Sequence, residues 1–197
     1  MVIFVFLLLF MLSVWVLKSH RGASPRYIVS LTTIPSRSAS LRETIQGLMA
    51  QTEPPAYIVV NVPERYERFS ETCRFEDLPP GVVINRIGTD YGPATKLLGL
   101  SHLGRSDYDV AVVVDDDCYK HPDWARTLLS TVREGSVSSC LLPPDSRPNR
   151  PWGLRENCVY GYTGFAVPRR LLRALMPNMV DTWRRRRASC FFVDDDF

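Results

Sequence analysis

The feature that most constrains the fold is an apolar run that ends in three consecutive aspartates. Residues 110–114 are all apolar and mostly β-branched, and Asp115, Asp116 and Asp117 follow directly. Such a run predicts a central strand of a parallel sheet that is covered on both faces. Ligands of open α/β sheets bind at the carboxyl ends of strands, so we expect the three aspartates at a ligand site.

Three adjacent carboxylates repel one another, and at least one pKa would rise unless a cation lay among them. Their oxygens suit Mg²⁺ or Mn²⁺, which proteins hold with one or two carboxylates plus substrate phosphate oxygens. The alternative is an acidic surface turn. The apolar strand before the aspartates and the helix start at 122–124 favour a metal–phosphate site.

The first seventeen residues carry no charge, and Lys18, His20 and Arg21 follow them. This length is close to the lower limit for a helix that spans a bilayer. A cleaved signal peptide, which would give a secreted protein, is the alternative, but the basic start and a clear cleavage site are missing. We therefore expect a transmembrane signal anchor at 1–17, a linker at 18–26 and one domain at 27–197. The protein would be a single-pass membrane protein, in the Golgi or endoplasmic reticulum of a eukaryote, with its orientation open.

Composition excludes little beyond this. The net charge is +3, so no strong electrostatic partner and no nucleic acid is expected. Five cysteines occur without a C-x-x-C pair, so neither a zinc site nor a disulfide framework is indicated.

Hydrophobic patterns predict alternating strands and helices. A capping box at Ser40 and Glu43 predicts a helix from Leu41, between two strands, and this order predicts a parallel βαβ unit. The predicted strands are 27–34, 57–62, 82–87, 110–114, 136–142, 160–167 and 190–193, and the other predicted helices are 94–103, 124–132 and 169–175.

Two further polar loops follow predicted strands. Thr32, Thr33 and Arg37 suit a nucleotide's base, ribose or phosphate, although this loop taken alone favours ordinary turn chemistry and helix entry. In the loop 90–96, Asp90 can bind a ribose or base, and Lys96 can reach a phosphate beside a helix N-terminus. Tyr91 between them can stack on a ligand. The spacing is not that of a P-loop.

A second acidic cluster, 194–196, follows the predicted strand 190–193. Such a cluster can supply a general base to an attacking hydroxyl, and the alternative is a frayed acidic terminus. The basic run 184–187 can meet a diphosphate or an acidic acceptor, and the alternative is a solvated helix face.

Together these motifs resemble a small GT-A-fold glycosyltransferase, similar to the family 2-like bacterial and algal-virus enzymes with a D-x-D motif. A D-x-D motif alone would be weak evidence of such a resemblance, but five motifs occur here in the expected order. They are 30–37, 48–54 (LMAQTEP), 90–96, 113–117 with 121–124, and 191–196. The implied fold is α/β, a GT-A-like (Rossmann-like), mostly parallel sheet flanked by helices.

The resemblance implies metal-dependent, inverting transfer of a hexose or deoxyhexose from a nucleoside diphosphate sugar to the hydroxyl of a glycan or other acceptor. Asp115 and Asp117 would bind Mn²⁺ or Mg²⁺, and Asp195 or Asp194 would be the catalytic base. The nucleotide site would be lined by Thr32, Thr33, Arg37, Asp90, Lys96, Asp115 and Asp116.

Such enzymes continue with more helix after the second acidic motif, whereas this chain ends at Phe197. We therefore expect a domain truncated at its C-terminus. Two alternatives stay open: a non-catalytic remnant that binds nucleotide or metal, and a nucleotidyltransferase, which also holds a metal on acids at a strand end.

Overall fold

The structure, a computed structural model, describes residues 24–139 and 163–190, and the side chains of the last helix as far as residue 185. The predicted anchor at 1–17 and the second acidic cluster lie outside the described residues. No helix among the described residues is long and apolar enough to cross a membrane. The anchor and the domain boundaries therefore stay predictions.

Six strands form one sheet in the order β3-β2-β1-β4-β6-β5. The strands β1 to β4 are parallel, whereas β6 pairs antiparallel with β4 and with β5. A mostly parallel α/β sheet is thus confirmed, and its antiparallel margin was not predicted. The strands are β1 (Tyr27–Thr32), β2 (Ile58–Pro63), β3 (Val82–Ile87), β4 (Val110–Val113), β5 (Ser138–Ser139) and β6 (Phe165–Pro168).

Helices cover both faces of this sheet, because the central strands are apolar on both sides. On one face, α1 (Leu41–Met49) and α3 (Trp124–Ser130) pack on residues such as Val29 and Val112. On the other face, α2 (Thr95–Leu98) and α4 (Arg169–Cys190) pack on residues such as Ile28 and Val113. Neighbouring residues of one strand therefore belong to different cores, as the two-residue period of a strand requires.

Two local predictions about helices are wrong. Ser40 has helical backbone angles and its hydroxyl donates to the carbonyl of Arg37, so the expected capping box does not form. A 3₁₀ turn at Pro35–Arg37 leads into α1 instead. The predicted helix 94–103 is divided into a 3₁₀ turn, the four-residue α2 and a second 3₁₀ turn, Gly99–His102.

Helix α4 is much longer than the predicted 169–175 and contains Pro177. Cys190, the predicted start of a strand, is its last residue. The helix passes the proline because Leu172, Met176 and Trp183 lie on one stripe and are all buried against the sheet. A proline inside a helix costs roughly 3 kcal/mol, and the burial of these three side chains offsets that cost.

Candidate functional site

A single cleft at the carboxyl ends of β1, β2 and β4 collects the polar loops. The cleft is partly open to solvent, and its free volume of about 60 Å³ is small for a ligand site. The eight described residues that were predicted to bind metal or nucleotide all line it: Thr32, Thr33, Arg37, Asp90, Lys96, Asp115, Asp116 and Asp117.

The aspartates after β4 meet two basic side chains that are distant in sequence. Lys96 Nζ forms an ion pair with Asp115 Oδ1. Arg37 Nη1 lies 2.7 Å from Asp117 Oδ2 and 3.2 Å from Asp116 Oδ1. The tertiary structure therefore supplies a cation to each carboxylate, which the local sequence does not.

The three carboxylates differ in exposure. The side chain of Asp116 is 5% exposed, against 25% for Asp115 and 53% for Asp117. Burial raises the pKa of Asp116 above its ordinary value, against the lowering effect of Thr33 and Arg37. Its carbonyl also accepts a hydrogen bond of 2.6 Å from the Thr44 hydroxyl of α1. Asp116 thus lies at the base of the cleft, and Asp115 and Asp117 face its space.

A buried polar network holds the segment that carries Lys96. Ser30 of β1 donates to the carbonyl of Lys96, and Asn61 of β2 donates to Ser30 at 2.8 Å. Asn85 of β3 donates to Asn61 at 2.8 Å and to the carbonyl of Gly99 at 2.9 Å. These bonds fix α2 on the sheet, so the position of Lys96 is set by three strands.

Asp90 organises the loops on the other side of the cleft. Its carboxylate accepts the backbone N–H groups of Glu67 and Gly92, each at 2.8 Å. Tyr91, expected to stack on a ligand, lies in the core instead. Its ring packs edge-on against Trp183 of α4 at 4.8 Å between centroids.

The threonines at the end of β1 also form hydrogen bonds with the protein. Thr32 donates to the carbonyl of Asn61 at 2.8 Å. The carbonyl of Thr33 accepts the hydroxyl of Tyr66 at 2.8 Å. These bonds join the β1 and β2 loops, and whether these threonines also touch a nucleotide stays a prediction.

Sequence reasoning missed the wall formed by the segment after β2. Tyr66, Arg68 and Phe69 line the cleft. The rings of Tyr66 and Phe69 meet edge-on at 5.8 Å, and the Arg68 guanidinium lies 5.4 Å from the Phe69 ring centroid. The signal was available, because β2 was predicted and the loop after a parallel strand lies at the same edge as the other ligand loops.

The acidic strand end fits a divalent cation held jointly with a diphosphate. Asp115 and Asp117 each present oxygens to the same cleft. Within 24–139 and 163–190, no group of three His, Cys, Asp or Glu side chains is placed to hold a metal. A site of this kind is not needed where phosphate oxygens and water complete the coordination of one or two carboxylates.

The remaining candidates divide by position. Asp194 and Asp195 lie outside the described residues. His121 uses Nδ1 to accept the backbone N–H of Asp123, as a loop residue does. Arg184 and Arg185 are exposed on α4, and Arg184 pairs with Asp181 of the same helix at 3.6 Å. These two arginines therefore lie on an exposed helix face, and whether they meet an anionic ligand stays a prediction.

No protein-family model matches the chain. The chain is similar to the glucosyl-dolichyl phosphate glucuronosyltransferase of Haloferax volcanii, with 30% identity over 105 residues. The match covers 53% of this chain and 33% of that protein. This distant likeness and the mostly parallel α/β sheet fit a GT-A-like fold.

Proposed function

We propose that the protein is a metal-dependent glycosyltransferase that transfers a sugar from a nucleoside diphosphate donor to an acceptor hydroxyl. The observation that carries the proposal is the convergence of three acids, Lys96, Arg37 and the β1 and β2 loops in one cleft. The distant likeness to a glucuronosyltransferase supports sugar transfer in particular.

The donor diphosphate lies between Lys96 and Arg37 in this proposal. Both side chains are already directed into the cleft by their contacts with Asp115 and Asp117. Arg37 can bind two phosphate oxygens at once, whereas Lys96 acts as a point charge. On donor binding, each basic group exchanges part of its carboxylate contact for phosphate.

The carboxylates released by this exchange would hold Mn²⁺ or Mg²⁺, which neutralises the charge of the leaving diphosphate. Asp117 is the more exposed ligand, and Asp115 lies next to Lys96 and the nucleotide loops. Asp116 remains below them and supports the turn through its bond with Thr44.

The calorimetric titration of the full chain with uridine and guanosine diphosphates, each with Mn²⁺ and with chelator, tests the donor site. We expect binding that requires Mn²⁺ and that Asp117→Ala reduces at least about tenfold, since a charge-assisted ligand contributes roughly 1.5–3 kcal/mol. Asp123→Ala is the matched control, because Asp123 lies outside the cleft and pairs with Arg126.

If Asp117→Ala and the parent protein bound the nucleoside diphosphate with equal affinity in Mn²⁺, Asp117 would not be a metal ligand. Product analysis then separates the reaction classes. Released nucleoside diphosphate with a glycosylated acceptor supports the proposal, whereas released pyrophosphate would indicate nucleotidyl transfer. Binding without either product would indicate a non-catalytic protein.

Asp195 is proposed as the base that takes the proton from the acceptor hydroxyl in an inverting displacement, and Asp194 is the other candidate. We expect Asp195→Asn to bind the donor diphosphate as the parent does and to lose transfer by at least about a hundredfold, the usual effect of a general base. Asp194→Asn provides the matched comparison. If Asp195→Asn transferred sugar at the rate of the parent, another residue would be the catalytic base.

A further inference from the structure

A second groove lies between α4 and residues 100–108, away from the donor cleft. It includes Tyr108, which precedes β4, and Arg169, which follows β6. Val110 of β4 is paired with Pro168 of β6 and with Tyr27 of β1, so this groove reaches the amino end of β1 and β4. The donor cleft lies at the opposite end of the same strands. We call it the amino-end groove.

The inner side of the amino-end groove is apolar. Leu100 and Leu103 contribute from one wall, and Leu172, Met176 and Val180 contribute from α4. Leu100, Leu172 and Met176 are buried, whereas Leu103 and Val180 are only partly covered. The groove can therefore accept an apolar group from outside.

The rim of the groove is rich in arginine. Arg105, Arg169, Arg173 and Arg184 line it, with Asp181 as the acidic residue among its lining residues. Asp181 is paired with Arg184, and Arg105 is paired with Asp107. Arg169 and Arg173 form no ion pair within the described part of the chain, and the guanidinium of Arg169 lies 5.9 Å from the Tyr108 ring centroid.

The start of α4 makes this excess of positive charge stronger. The first turn contains Arg169 and Arg170 and no acidic residue. Helices favour negative charge at this end, where the backbone N–H groups are unpaired and the dipole is positive. Arg170 is paired with Glu134 at 2.9 Å, which leaves Arg169 as the arginine of the first turn in an unfavourable electrostatic position. An external anion would relieve it.

The groove also lies where the N-terminal apolar segment joins the domain. The backbone N–H of Arg26 donates to Asp109 at 2.9 Å, and the N–H of Arg169 donates to the carbonyl of Asp109 at 2.7 Å. The seventeen uncharged residues at the start of the chain are connected to this point by a short linker. A bilayer that held this segment would be close to Arg169 and Arg173.

We propose that the amino-end groove binds anionic phospholipids of the membrane surface, with phosphate headgroups on Arg169 and Arg173 and apolar chain segments against Leu103 and Val180. Arginine suits phosphate, and basic residues within a few ångströms of an anionic leaflet each strengthen its attraction. The groove thus fixes the domain on the bilayer by its amino end. This proposal is independent of the donor chemistry in the cleft.

Hydrogen–deuterium exchange of the full chain in lipid nanodiscs tests the groove directly. One set of nanodiscs contains phosphatidylcholine alone, the second also contains phosphatidylglycerol, and the third is neutral with inorganic phosphate added. The predicted anchor meets the same hydrocarbon core in all three, so differences in exchange report the headgroup. We expect slower exchange in 100–108 and 169–176 only with phosphatidylglycerol, and weakening of this effect at high salt.

The variant Arg169→Gln/Arg173→Gln should lose this protection, with association weakened about thirtyfold for two arginines at an anionic surface. The matched control Arg42→Gln/Arg126→Gln removes the same charge from the exposed surfaces of α1 and α3 and should keep the protection.

Protection by inorganic phosphate would indicate an ion site and overturn the proposal. Equal protection in neutral and anionic nanodiscs, or none in either, would also overturn it. Donor binding should be unchanged in both variants.

Discussion

At the scale of single residues, the cleft is a set of opposite charges that a ligand can rearrange. Lys96 and Arg37 form ion pairs with Asp115 and Asp117. The aromatic ring of Phe69 and the guanidinium of Arg68 line the cleft beside them. A diphosphate is attracted to the basic groups, and a flat ring is attracted to the aromatic wall. In the proposed donor complex, the diphosphate and the base of a nucleotide would therefore contact different side chains of the cleft.

We expect Phe69→Ala to weaken binding of a nucleoside diphosphate by roughly tenfold to a hundredfold, because stacking of a base on an aromatic ring contributes about 1–3 kcal/mol. Binding of inorganic pyrophosphate, which has no base, should not change. Calorimetry with both ligands measures the difference.

Tyr119→Ala is the matched control for Phe69→Ala, because Tyr119 is 84% exposed and does not line the cleft. An equal loss for pyrophosphate and nucleotide in Phe69→Ala would show that the residue supports the cleft as a whole instead of contacting the base.

At the scale of elements, the approach of the α2 segment to the sheet depends on a glycine. A Cβ atom built on Gly99 would lie 2.7 Å from Cβ, Cγ and Oδ1 of Asn61, closer than side-chain atoms pack. Asn61 is fully buried and is held by its bonds to Ser30 and Asn85, so it cannot move away without breaking them.

Gly99→Ala should lower the free energy of unfolding by about 1–3 kcal/mol, the usual effect of overpacking a core. It should also weaken diphosphate binding, because Lys96 lies on the displaced segment. Urea unfolding and calorimetry measure the two effects. Gly104→Ala is the control, since a Cβ there meets nothing within 4 Å, and a loss of similar size in that variant would contradict the packing argument.

Element prediction succeeded where one hydrophobic period dominated. The bounds of β3 agree with the predicted strand 82–87, and α1 begins at Leu41 as predicted. It failed where tertiary contacts outweighed local signals. Ser40 bonds the preceding turn instead of capping α1, and α4 continues through Pro177 because Trp183 is buried beyond it.

At the scale of the whole molecule, one sheet separates two cores and places the two proposed sites at opposite ends of its strands. The cores also enclose tyrosine hydroxyls. Burial raises the pKa of Tyr27, Tyr66 and Tyr108 above the ordinary value of 10.0 and raises that of Tyr57 to about 12.

The protein should therefore lose stability as the pH rises above about 10. In the unfolded chain a tyrosine ionises near its ordinary pKa, whereas the folded chain keeps the proton up to the raised pKa. The stabilising contribution is complete below pH 10 and declines by about 1.4 kcal/mol per pH unit for each such tyrosine. Urea unfolding between about pH 9 and about pH 11 measures this slope.

Tyr27→Phe should reduce this slope by about 1.4 kcal/mol per pH unit, because it removes one buried hydroxyl that ionises only after unfolding. The exposed Tyr119→Phe is the control and should keep the slope. A pH dependence that is the same in the parent and in Tyr27→Phe would show that alkaline unfolding has another origin.

The sequence by itself determined the strand that ends in Asp115–Asp117, the alternation of strands and helices, and the loops after β1, β3 and β4 that line the cleft. These features depend on local periodicity and on the rule that parallel strands present their carboxyl ends together. Thr32, Arg37, Asp90 and Lys96 were therefore found from the chain alone.

Only the tertiary structure decided how these residues are paired and which wall completes the site. Lys96 reaches Asp115 because Ser30, Asn61 and Asn85 hold its helix, and Tyr91 turns into the core because Trp183 of α4 packs on it. Such pairings join residues that are distant in the chain, up to the 92 positions between Tyr91 and Trp183. Their energies therefore depend on the packing of several elements and leave no periodic trace in the sequence.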